Sequence, residues 1–122
     1  MFVEGANGGG REPDARERLL IWCLRRLAPD AGLQRSPVVE VALLKGFGER
    51  GQELSVLLRC LVHALALHCP RRLTMAVPHA PALTADEVRL LLALRGGGPV
   101  GLGPPVVLGP LLLAIGVLMK GR

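Results

Sequence analysis

At 122 residues the chain has the size of one domain, long enough to bury a core without disulfide or metal staples. Half of it is hydrophobic, led by leucine, and aromatics make up only 2%, which argues against a sheet and for a helical core of aliphatic side chains. The formal net charge is +5, yet the arginines stand beside acids: Arg16 and Arg18 near Asp14 and Glu17, Arg50 near Glu49 and Glu53, Arg89 near Asp86 and Glu87. A nucleic-acid surface would cluster its basic residues among aromatic platforms, so no nucleic-acid partner is expected.

Residues 1–12 (MFVEGANGGGRE) read as a disordered Gly-rich tail, and Glu4 with the Gly run leaves no apolar stretch for a secretory signal. A first helix is expected from Pro13 or Asp14 to about Ala28. Pro and acids occupy its first turn, Arg25 and Arg26 its last, and Pro29 ends it. Leu20, Cys23, Leu24 and Leu27 form its apolar stripe. Trp22 falls on another face with Arg18, Arg25 and Arg26 at helical spacing. Trp22, Arg18 and Arg25 are therefore a candidate surface anchor for a partner or a membrane interface, the alternative being Trp22 packed on the body under arginine stems.

Ser36-Pro37 is a helix start, with Ser as N-cap and Pro at the first helical position, and the second helix is expected over Val38 to about Lys45. It stops at Gly46-Phe47-Gly48, and a third, almost wholly apolar helix begins near Glu49 and reaches His68. Glycines at 46, 48 and 51 suggest a helix-turn-helix. A recognition helix must show polar side chains to base edges, however, and Leu54, Val56, Leu57, Leu58, Leu61, Val62, Leu65 and Leu67 cannot. On this helix Gln52, Ser55, Arg59 and His63 share one narrow sector, a polar seam that is the candidate binding surface. Either Arg59 and His63 line a cleft, or the seam is the exposed edge of a central helix.

Pro70 to Leu83 (PRRLTMAVPHAPAL) is irregular, with Leu73 to Val77 a possible extended piece and Pro78 and Pro81 excluding a helix. Thr84 to Glu87 is a capping box flanked by Leu83 and Val88 as a hydrophobic staple, and the fourth helix runs to about Arg95 before Gly96-Gly97-Gly98. Residues 96–122 form a Gly/Pro-rich apolar segment. Leu102 to Met119 approaches the roughly 20 apolar residues of a membrane span, but Pro104, Pro105, Gly109 and Pro110 break it and only Leu111 to Met119 reads as clean helix. A last core-packing helix is expected, with a membrane tail as the alternative; Arg95, Lys120 and Arg122 flank both sides and set no orientation.

Little in the chain points to chemistry. Cys23, Cys60 and Cys69 form no C-x-x-C pair and read as free buried thiols in a reducing, cytoplasmic setting. Cys60, His63, His68, Cys69 and His79 lie close in sequence, but their spacing matches no zinc site, so no metal and no cofactor are expected. Ser36 reads as a cap and Ser55 lies mid-helix, away from any nucleophile elbow; Gly8-Gly9-Gly10 and Gly96-Gly97-Gly98 lack the Lys-Ser/Thr of a phosphate loop. No catalytic constellation results, and the chain is not read as an enzyme.

Leu19 to Leu27 (LLIWCLRRL), Gly32-Leu33, Phe47-Gly48, Leu54 to Leu61 (LSVLLRCL) and Pro78 to Glu87 (PHAPALTADE) give the chain a likeness over residues 18–95. In that order of features it resembles a family of small proteobacterial proteins classed as a domain of unknown function. The resemblance implies a helical domain without assigned activity. It also implies a Pro-bounded loop that often carries several cysteines; here Pro78 and Pro81 bracket His79 and Ala80 instead, so any metal or redox property of that loop is lost or changed.

The expected architecture is all-α: a small bundle of four to five helices around the central apolar helix, with a short irregular Pro-containing loop before the fourth. The helical domain is placed at 13–95. The expected function is a non-enzymatic protein-interaction or regulatory module that self-associates or binds a protein partner through apolar surface. The alternative is a membrane-associated protein anchored through its C-terminal segment.

Overall fold

The computed structural model describes residues 12–120. The tail expected over 1–12 therefore lies, except for Glu12, outside the described residues, as do Gly8-Gly9-Gly10 and Arg122. The described chain is all-helical, with five α-helices and no strand among the described residues.

Helix α1, Ala15–Leu27, starts at a capping box: Asp14 accepts the Glu17 N–H at 2.9 Å and the Glu17 carboxylate accepts the Asp14 N–H at 2.9 Å. Pro29 ends it, within a 3-10 turn over Ala28–Asp30, and the chain reverses through left-handed Ala31 and Gly32. The Ser36 hydroxyl caps α2, Pro37–Phe47, by accepting the Val39 N–H. This helix outruns its expected end by two residues because Phe47, only 4% exposed, anchors its last turn in the core.

Helix α3, Arg50–His68, packs against α1, α2 and α5 (Pro105–Lys120) and is the hub that its apolar sequence predicts. Leu54, Leu58 and Leu61 are completely buried, each stabilising the fold by roughly 1.5–3 kcal/mol. The close crossing of α2 and α3 depends on Gly51, where a Cβ would stand 2.5 Å from the Leu43 carbonyl carbon and oxygen.

Helix α4, Ala85–Leu92, opens at Thr84 with the expected capping box and continues through a wide π-helical turn, Ala93–Gly97, that ends where Gly96 takes φ 104°. The buried pair Leu83 and Val88 flanks its start. Helix α5 corrects the sequence reading of residues 102–119. The prolines do not break it: Pro105 sits in the first turn, which needs no N–H donor, and Pro110 lies inside the helix. The bond Pro110 removes would have gone to the carbonyl of Val106, a residue 82% exposed, so water can satisfy the freed group. Leu102, Leu108, Leu112 and Ile115 join the same core as α1–α4. Among the described residues no helix is long and apolar enough to cross a membrane.

Candidate functional site

Between α2 and α3 runs a groove of about 550 Å³ whose apolar lining is Val41, Leu44 and Val56, each more than half exposed. Gln52, Ser55 and Arg59 of the polar seam line it as well; His63 does not. The seam is therefore divided: Gln52 is exposed, Ser55 buried, and Arg59 and His63 half-buried. Ser55 is only 4% exposed, and the Arg59 guanidinium donates to the carbonyl oxygens of Gly32 (3.0 Å) and Leu33 (2.8 Å). The loop reaches that position because Gly32, at φ 72°, lies so close to α3 that a Cβ there would stand 2.6 Å from the Arg59 carbonyl oxygen. The most exposed line of α3 runs beside the seam and meets it at His63: Glu53, Val56, Cys60 and Leu67 are exposed and His63 half-buried, at alternating spacings of three and four. The His63 Nδ1 atom is buried without a hydrogen-bond partner among the described residues. At one end of the groove Arg35 grips Glu40 through two 2.8 Å bonds and holds its carboxyl below the usual carboxylate range.

The three residues of the proposed surface anchor, Arg18, Trp22 and Arg25, border one recess but differ in exposure. Trp22 is half-buried, with the Arg26 guanidinium 5.3 Å from its ring centroid, and Arg18 is exposed beside it in a recess shared with His79 and Pro81. Arg25 lies at the buried floor of that recess. At 6% exposure it forks onto Glu87 at 2.9 and 2.8 Å and donates to the carbonyls of Pro78 (3.2 Å), Ala80 (2.9 Å) and Ala82 (3.0 Å). The helical spacing that joins it to Trp22 is real, but that side of α1 lies under the chain between α3 and α4.

That chain, residues 70–83, is an irregular strap held by two adjacent buried carboxylates, and the expected extended piece at Leu73 to Val77 belongs to it without pairing as a strand. Asp86 accepts from Arg71, from the Thr74 N–H at 2.7 Å and from Arg89 at 2.8 Å. The Arg71 guanidinium, above all, brings its carboxyl down to about 2. Glu87 accepts the Ala76 N–H at 2.8 Å and the Thr84 N–H at 3.0 Å in addition to Arg25. Burial pushes the Glu87 carboxyl up, and the guanidinium and the two N–H donors together outweigh it, so it too sits below its ordinary value. Sequence reading found Glu87 only as a capping residue and missed its partner. The signal available was an arginine in an apolar helix facing an unpaired run of carbonyls.

The thiols differ from expectation. Cys23 is buried and its thiol is pushed up to about 12 by desolvation, whereas Cys60 is exposed and Cys69 half-buried. Among the described residues no group of three or more His, Cys, Asp or Glu side chains is placed to hold a metal ion. Comparison with protein-family models, curated proteins and solved structures finds no significant match.

Proposed function

We propose that this chain is a non-enzymatic protein-interaction module that self-associates through the face formed by α2 and α3. The observation that carries the reading is the groove with Val41, Leu44 and Val56 exposed along it. Val38, Cys60 and Leu67, also exposed, extend that face along both helices. Two apolar ridges with a groove between them can interdigitate with the same ridges of a second copy about a two-fold axis. The surrounding charges suit such a partner, since Arg35 and Lys45 alternate with Glu40 and Glu53 and a two-fold copy offers both signs in return. The groups that could serve chemistry have structural work: Ser36 caps α2, and Asp86 and Glu87 are saturated by guanidiniums and backbone donors. A reducing compartment fits three cysteines of which none is paired.

Sedimentation velocity over rising protein concentration tests this. Wild-type protein is expected to move to a dimer, and Val41→Glu with Val56→Glu to stay monomeric with unchanged far-UV circular dichroism. A wild-type monomer at all concentrations, or a dimer that survives both substitutions, overturns the reading.

A second reading, peripheral membrane contact, is favoured by the exposed residues Val106, Leu113 and Val117 on α5, with Lys120 at its end. Co-sedimentation with anionic vesicles that Leu113→Glu abolishes is its expected signature; no co-sedimentation removes it.

A further inference from the structure

A cavity of about 400 Å³ lies between the C-terminal halves of α1 and α3, the strap and α4, away from the α2/α3 groove. Leu24, Val62, Leu65 and Leu90 come from the helices, and Leu73 and Met75 from the strap. Its size falls in the range of small-molecule sites, which are mostly apolar with a few polar groups that orient the ligand. Here the charged groups are Arg71 and Arg72, and no acid lines the cavity among the described residues.

The two arginines are not equivalent. Arg71 is fixed by Asp86, which neutralises it in part and sets its direction, while Arg72 is exposed and no carboxylate pairs with it among the described residues. The carbonyl end of α3, at Cys69, also borders the cavity and carries about half a negative charge. One unpaired guanidinium and one half-compensated one outweigh it, so the rim favours an anion.

From this juxtaposition of apolar walls and a cationic rim we infer that the cavity binds a small amphipathic anion: an aliphatic or single-ring carboxylate whose body lies on Leu65, Leu73 and Met75 and whose head group meets Arg72. The site is pre-formed because the strap that supplies Leu73 and Met75 is anchored between them, by the Thr74 N–H on Asp86, and directly after them, by the Ala76 N–H on Glu87. This inference does not depend on self-association, and the two can fail separately.

Decanoate is a suitable probe, with decanol and decyltrimethylammonium as charge controls, read by NMR of protein labelled at the methionine methyl groups. Met75 lines the cavity and Met119 lies elsewhere, so the Met75 resonance is expected to shift saturably while Met119 stays. Arg72→Glu should weaken decanoate about tenfold and leave decanol unchanged, because only the head group meets that charge. Ala66→Trp, at an exposed position on the rim, should block the site without unfolding the protein. Unsaturable shifts, equal shifts at both methionines, or equal affinity for the three probes would overturn the proposal. So would decanoate binding that survives both substitutions.

Discussion

Burial sets the reactivity of the three thiols apart. With its thiol pushed up to about 12, Cys23 carries on the order of one thiolate in 10⁵ molecules at neutral pH, and the core shields what little forms. Native protein treated with iodoacetamide is therefore expected to take label first at Cys60, then at Cys69, and at Cys23 only in denaturant. Peptide mass spectrometry reads the order, and native labelling of Cys23 would contradict the packing of α1. For Cys23 and Cys60 this distinction could not be read from the sequence, where each sits in a leucine-rich helix. Cys23 lies on the inner stripe of α1, whereas Cys60 lies on the water-facing side of a helix that is apolar nearly all round. Polar type was equally misleading on α3: Ser55 turns inward and Val56 outward.

At the scale of elements, the strap and the α2/α3 crossing are where single changes cost most. Arg25→Met leaves Glu87 buried without its guanidinium and three carbonyls without their donor, and is expected to destabilise by about 3–5 kcal/mol. Arg25→Lys should recover only part of this, since an ammonium cannot fork across five acceptors. Gly51→Ala drives a Cβ into the Leu43 backbone, which cannot yield as a side chain would, at a cost of about 1–3 kcal/mol. Urea denaturation of each variant measures both; a loss within error of zero refutes the corresponding contact. The elements themselves were legible. Caps at Ser36 and Thr84 and the stop at Pro29 are local signals, complete within four residues. Long-range partners were not: Arg25 and Glu87 are 62 positions apart, and Glu87 already had a sufficient local explanation in its capping box. Pro110 misled in the other direction, because a proline whose lost bond falls on a water-exposed turn is tolerated inside a helix.

For the whole molecule the same carboxylates govern behaviour in acid. A group whose folded value is depressed contributes stability above its ordinary value and loses it as pH falls through the folded one. For Asp86 that window runs from about 3.8 to about 2, and its contribution is up to about 2 kcal/mol; Glu87 shifts in the same direction. Urea midpoints should fall across this window, and the gap between wild-type protein and Asp86→Asn should close as pH drops. A gap that stays constant down to pH ~2 would show that Asp86 keeps its ordinary value. Much of the chain's basic charge is likewise spent internally. Arg16 donates to the Met119 carbonyl and Arg50 to that of Leu118, Arg59 holds the Gly32–Leu33 turn, and Arg95 pairs with Glu17.

The strap also imposes an order of events. The α2–α3 hairpin closes over Gly48 and Glu49 alone, so its contacts are local and can form early. The Arg25–Glu87 fastening of the strap joins α1 and α4 across 62 residues, and we predict that it forms late, after the rate-limiting step. Loosening it by Arg25→Met should then accelerate unfolding and leave the folding rate close to that of the wild type. On this reading the lifetime of the native state follows how long the cover stays on, and its birth follows a hairpin whose own closure does not require that cover.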